Sequence, residues 1–179
     1  MDKFLALAKA RQSCRAYEAG RTIPQADIDY IIECTRQSPS ACNSQPYSFI
    51  FVTEAGMVAD TAKLAQMWGG NKFAPDASAF AIIIEEKANL SARVGAIVRQ
   101  QEFASVDIGL ACAHLVLGAE DVGVASCILG LFDEKGLKKR FGIDKGKRVR
   151  LVVALGYKKA EDPVRNKIRK AKEEVFKQL

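Results

Sequence analysis

The sequence predicts a layered domain of helices and strands, α+β or α/β, spanning residues 1–179 as a single unit. Three observations predict it. A chain of 179 residues is long enough to bury one sizeable core. Helical and extended patterns alternate along it, with no internal repeat, low-complexity tract or Pro/Gly/Ser linker to divide them. A composition 49% hydrophobic and 27% charged is that of a globule, neither disordered nor stapled by disulfides.

A first helix is expected over about Asp2 to Ala10, with Phe4 and Leu7 on one face. A second begins at Pro24, where a missing N–H costs nothing because the first helical turn has no partner for it. It carries Ile28, Ile31 and Ile32 at helical spacing and stops near Ser38 and Pro39. Tyr47 to Thr53 and Phe80 to Ile84 are β-branched and aromatic and read as strands with at least one buried face. Met57 to Trp68 reads as a helix between them. Arg93 to Asp121 reads as one long helical region whose middle, Val106 to Leu117, is apolar nearly all round. Such a helix is central, or it lies in a subunit interface. Val124 to Leu129 is a short strand ending in Gly130, and Asp133 is placed to cap a helix that runs through Phe141 and stops at Gly142. Arg150 to Tyr157 is a further strand. The tail after Pro163 is highly charged, and Val164, Ile168, Val175 and Phe176 are too few to give it a core of its own.

Lys9, Arg11 and Arg15 break up the N-terminal region, so no signal-peptide core is expected there. Asp107, His114, Glu120 and Asp121 interrupt the apolar stretch from Val106 to Phe132, whereas a membrane span wants about 20 residues nearly free of charge. No membrane association is expected. The five cysteines, Cys14, Cys34, Cys42, Cys112 and Cys127, form no Cys-x-x-Cys pair and read as reduced thiols of a cytoplasmic protein. With His114 as the one histidine, zinc and Ser-His-Asp constellations lose their ground, and no metal is expected. On its apolar helix His114 reads as an interface residue, and Cys42 and Cys127 as small packing residues. Trp68 either caps a substrate or packs.

The formal net charge is +6, and it is unevenly spread: from Lys135 to Leu179 there are 16 Lys and Arg against 5 Asp and Glu. One reading of this excess is a nucleic-acid or anion-binding module built on Lys138, Lys139, Arg140, Lys147, Arg148 and Arg150. The interleaved aromatics of a single-strand binder are missing from that stretch.

The phosphate-cradling glycine motifs are absent: there is no G-x-x-x-x-G-K-[ST], and no G-x-G-x-x-G follows a strand. Two other clusters carry chemistry. Arg11-Gln12-Ser13-Cys14-Arg15 stands where the first helix ends, and its guanidiniums and hydroxyl supply forked donors suited to a phosphate or to a planar ring bearing carbonyls. Ser38 to Tyr47 holds two prolines and a run of small polar residues between a helix and a strand, where a scaffold commonly presents a binding loop.

Together these clusters resemble the nitroreductase family of FMN-dependent oxidoreductases, which has an arginine-x-serine-x-arginine (or lysine) element followed by a Pro-Ser-x-x-Asn-x-Gln-Pro-aromatic loop. Here they are Arg11, Ser13 and Arg15, then Pro39, Ser40, Asn43, Gln45, Pro46 and Tyr47. The resemblance continues through the apolar helix, the Leu129-Gly130 turn and the Val-Ala-Leu-Gly-Tyr strand with its basic tail, so it covers essentially the whole chain. It implies an α+β fold, a mixed or antiparallel sheet sandwiched by helices, in a homodimer with two FMN molecules at the subunit interface. The apolar helix would then be the dimer core, and the tail would reach toward the partner.

The same resemblance implies that Arg11 and Ser13 lie toward the phosphate and ribityl chain of FMN. Arg15 would sit beside the pyrimidine side of the ring, where a fixed cation favours the reduced form. Pro39, Ser40, Ala41 and Asn43 would come from the other subunit, and Lys167 and Arg169 would close on the phosphate. The backbone at Leu129 and Gly130 would lie near the ring nitrogen that accepts hydride, with Gly130 permitting close approach. Several relatives carry a glutamate where this chain has Leu129. Lys72 would contact the ring. The activity implied is NAD(P)H-driven ping-pong reduction of a small electron-poor acceptor, a nitroaromatic or a quinone, with no nucleic acid involved.

Overall fold

Strand segments that are apolar at successive positions belong in the middle of a sheet covered on both faces. In the computed structural model, which describes residues 3–179, β2 (Ala79–Glu85) and β4 (Arg148–Gly156) accordingly pair with each other at the centre. β1 (Tyr47–Val52) and β3 (Ala125–Leu129) flank them in one four-stranded sheet of order β1-β2-β4-β3, every neighbouring pair antiparallel.

The two-residue period of a strand sends Phe80, Ile82, Val152 and Ala154 to one face, and Ala81, Ile83, Val153 and Leu155 to the other. The first face packs under α3 (Ala55–Ala65) and α6 (Glu134–Phe141), through residues such as Val58, Ala62 and Leu137. Ile31 of α2 (Gln25–Arg36) and Ile108, Cys112 and Leu115 of α5 (Phe103–Asp121) cover the second. This is the expected sheet sandwiched by helices.

α1 (Lys3–Ala10) stands where the first helix is expected, although Asp2 lies outside the described residues. α3 begins two residues before Met57 because the Glu54 carboxylate accepts the N–H groups of Gly56 (2.9 Å) and Met57 (2.8 Å). α6 is capped as its sequence predicts: Asp133 accepts from Gly136 N–H at 3.0 Å, and Gly142 takes the left-handed conformation at φ +64°.

The long helical region expected from Arg93 to Asp121 is instead two helices, α4 (Leu90–Arg99) and α5. Gln100 ends α4 in the left-handed region at φ +51°, and Gln101 N–H donates back to Ala96 O at 3.0 Å. That is the hydrogen bond of a helix stop in which glycine is the usual residue. α5 is long and apolar enough to cross a membrane by length and composition alone, yet one of its faces is built into the core. The tail is exposed from Pro163 onward except for the half-buried Lys167, and carries only the four-residue α7 (Lys172–Val175).

Candidate functional site

After α1 the chain runs beside β3. Ser13 bridges Ser126 in parallel register, Cys14 N–H donates to Ser126 O at 2.9 Å, and Tyr17 bridges Lys158 in antiparallel register. Alternation along this segment buries Gln12 and Cys14 and leaves Arg11, Ser13 and Arg15 on its outer side. The one-residue gaps in the arginine-serine-arginine element therefore put its three donors on one face.

Charge and titration place the cluster more closely. Burial raises the Cys127 thiol, while Arg15, a Ser13 hydrogen bond and Arg11 oppose that rise, so all three lie near Cys127 of β3. Burial likewise raises Glu120 near the C-terminal end of α5, against the pull of Arg11, Lys158 and Lys167. Lys167 is held below its ordinary value by burial first, then by the like charges of Arg11 and Arg169. The first and last elements of the chain thus bring Arg11, Lys167 and Arg169 together, and none of them forms an ion pair among the described residues.

Gln12 and Arg165, which sequence reasoning passed over, hold the tail there. The buried Gln12 amide donates from Nε2 to Pro163 O (3.2 Å) and accepts Arg165 N–H at Oε1 (2.9 Å). The Arg165 guanidinium donates to Ser13 O (3.1 Å) and pairs with Asp162 (2.7 Å), and Lys167 Nζ donates to Ala8 O (2.7 Å). Only the position of Gln12 inside the motif hints at this role.

β3 ends at Leu129, whose side chain is buried in the core, so only its backbone is available to a ligand. At Gly130 a Cβ would meet nothing within 4 Å, and the space beside it is open. Asn71 pins the loop after α3 to this strand end, donating from Nδ2 to Ala65 O (2.9 Å) and Leu131 O (3.0 Å). Trp68 on the same loop is 84% exposed, and Lys72 is exposed without a hydrogen-bond partner among the described residues.

Pro39, Ser40, Ala41 and Asn43 are elsewhere. Their loop is tied to the other end of α5, where both oxygens of the buried Asp107 accept Ala41 N–H, at 3.1 and 3.2 Å. From Asp107 to Glu120 is about 20 Å at 1.5 Å per residue. A single chain does not bring the loop and the arginine cluster together. In the sequence Asp107 stands out only as a charge interrupting an apolar run, and nothing there signals its tie to the loop.

The basic patch of the nucleic-acid reading is largely neutralised. Lys138 pairs with Glu134 (3.0 Å), Arg140 with Asp60 (2.8 Å), Lys147 with Glu86 (2.7 Å), Arg148 with Glu134 (3.2 Å) and Arg150 with Glu85. Its free charge is far smaller than its sequence suggests. His114 engages the helix backbone, its Nδ1 lying 3.0 Å from Leu110 O. The five cysteines are all free thiols.

Known proteins resemble this chain in sequence and in fold. An Archaeoglobus fulgidus protein provisionally named NADH dehydrogenase/NAD(P)H nitroreductase is 31% identical over 165 residues, covering 90% of this chain and 88% of its own. The solved nitroreductase family protein from Streptococcus pneumoniae TIGR4 superposes with a TM-score of 0.80 at 23% identity, over 99% of this chain and 100% of that one. An FMN-dependent nitroreductase from Clostridium difficile R20291 gives 0.74 at 19%, over 90% and 91%. At those identities the two structures speak for the fold. The nitroreductase family model matches residues 8–157, from the last turn of α1 through the arginine-serine element to the residue after β4, and the chain belongs to that family.

Proposed function

We propose that this chain is a flavin-dependent oxidoreductase that binds FMN, takes electrons from NAD(P)H and passes them to a small electron-poor acceptor, as a homodimer with two shared sites. The observation that carries this is the convergence of Arg11, Ser13, Arg15, Lys167 and Arg169 beside β3, where the four cations form no ion pair among the described residues, although the Glu120 carboxylate acts on Arg11 and Lys167 from a distance. A family relative is named an NAD(P)H nitroreductase and a structural neighbour is FMN-dependent by name, which supports the same reading.

The donor set fits FMN. Arg11, Lys167 and Arg169 make a cationic end for the phosphate, Ser13 offers a hydroxyl to the ribityl chain, and the open space at Gly130 admits a planar ring. Bound there, FMN would supply two-electron transfer chemistry. The chain's own part is to hold and polarise it. Arg15 keeps a fixed positive charge beside the edge of the ring where reduction leaves negative charge, and being preorganised it needs no rearrangement when that charge arrives.

The outer face of α5 supports the dimer reading. Val106, Gly109, Leu110 and Ala113 are exposed along one side of the helix, an apolar stripe on an element whose opposite side is core. Two copies of α5 packed antiparallel about a two-fold axis set the loop end of one helix beside the cluster end of the other. Centred near Leu110, that packing sets Asp107 of one helix opposite position 113 of the other and so about halves the separation of about 20 Å between the two halves of the motif.

The decisive experiment is simple. Purified protein should be yellow, release FMN on denaturation, and give parallel double-reciprocal plots when NAD(P)H and acceptor are varied. Colourless protein that cannot be reconstituted with FMN, and whose DNA binding is steeply salt-dependent, would establish the nucleic-acid reading instead.

A further inference from the structure

Asp107 is 3% exposed, sits on an apolar stretch of α5, and forms no ion pair among the described residues. Among the described residues its partner is one backbone group, Ala41 N–H, reached by both carboxylate oxygens. A buried carboxylate with so little compensation is costly, and leucine or alanine would suit that helix face better.

What it holds is strained. Cys42, Asn43 and Gln45 have φ of +50°, +48° and +45°, a region that side chains other than glycine's occupy at a cost and keep only where the surroundings impose it. The remaining ties are less deeply buried: Ser40 Oγ accepts Gln45 N–H (3.0 Å), Ser44 Oγ accepts Asn89 N–H (2.9 Å), and Asn89 Nδ2 donates to Cys42 O (3.0 Å). Asp107 anchors the loop from inside, on the helix whose outer stripe is the candidate dimer surface.

We propose that Asp107 is the positioning residue for the Pro39–Asn43 loop, drawing the Ala41 amide onto α5 so that the loop is presented, preformed, to the cofactor held by the partner's arginine cluster. This rests on the FMN reading above. Asp107 touches neither cofactor nor acceptor and acts through the loop. It also couples the two halves of the assembly, because one helix both meets the partner and fixes the loop that serves the partner's site.

Asp107→Leu removes the acceptor and fills the space, Asp107→Asn keeps one oxygen, and Ala41→Pro deletes the donor from the other side. Ser40 is extended (φ −147°, ψ 154°) and so tolerates a following proline. FMN affinity is measured by flavin fluorescence, and exchange of the Ala41 amide by NMR in the FMN-free protein. Asp107→Leu should raise the Kd for FMN about tenfold or more and speed Ala41 exchange, while Asp107→Asn stays within about threefold of wild type. Should Asp107→Leu fail to fold, Ala41→Pro carries the affinity test alone, with the same expected loss.

Mixed dimers test the direction of action. Asp107→Leu protomers combined with protomers carrying Arg11→Ala and Arg15→Ala should regain one FMN per dimer at wild-type affinity, since one site then has an intact loop and an intact cluster. Wild-type affinity in both Asp107→Leu and Ala41→Pro, an Asn variant as damaged as the Leu variant, or mixed dimers with no restored site would each overturn the proposal. Wild-type protein that binds no FMN overturns the cofactor reading instead, and slow Ala41 exchange in Asp107→Leu would still count against Asp107 by itself.

Discussion

In the proposed FMN site, Arg15 and the Lys167–Arg169 pair would use the same charge for different ends. A cation on a phosphate binds oxidised and reduced flavin alike, whereas a cation at the pyrimidine edge favours the reduced form and must raise the midpoint potential. Arg15→Gln should therefore lower the potential of the bound flavin by ~30 mV or more, the equivalent of ~1.4 kcal/mol for a two-electron couple. A redox titration at saturating FMN checks it, and an unchanged potential beside weaker binding would reduce Arg15 to an anchor. Lys167→Ala or Arg169→Ala should weaken FMN binding by roughly 1.5 to 3 kcal/mol and leave the potential alone.

Lys167 adds a pH signature. Burial and its cationic neighbours hold its pKa below the ordinary 10.5, so it loses its proton at a lower pH than a free lysine. The charged form is disfavoured in the folded protein, hence Lys167 costs stability below its folded pKa and ceases to as pH rises toward 10.5. An arriving phosphate reverses that preference. FMN affinity should fall on the alkaline side before pH 10.5, and the fall should vanish in Lys167→Ala.

Elements were legible where a periodic pattern and its stop signals agreed. Asp133 and Gly142 bracket α6 in sequence and in structure alike. The division of α4 from α5 was not legible, because Gln100 occupies a left-handed stop that carries no Gly or Pro to mark it. The arginine-serine-arginine element was readable as a motif, while its pairing with β3 was not, since a bridge between Ser13 and Ser126 leaves no local signature. Helix approach was equally hidden. Gly118 lets α2 and α5 come so near that an added Cβ would stand 2.7 Å from Cβ of Cys34, an atom that every residue but glycine possesses. Gly118→Ala should thus cost about 1 to 3 kcal/mol of stability, read as a lower urea midpoint with unchanged slope.

At the scale of the whole molecule, the proposed site calls for a second copy of the chain. One chain holds the arginine cluster near one end of α5 and the loop near the other, and no side chain among the described residues spans the roughly 20 Å between them. An obligate interface buries upward of about 2,000 Å² with an apolar centre, and Leu110, in the middle of the exposed stripe, is where a charge would do most harm. Leu110→Asp leaves the core face of α5 untouched, so the protomer should keep its circular dichroism while sedimenting as a monomer at micromolar concentration. FMN affinity should fall with it, and in wild-type protein saturating FMN should shift the equilibrium toward dimer, because a ligand that needs both chains stabilises their union by mass action. A folded Leu110→Asp monomer that binds FMN as tightly as wild type would mean that one chain completes its own site. The Pro39–Asn43 loop would then have no part in holding the cofactor.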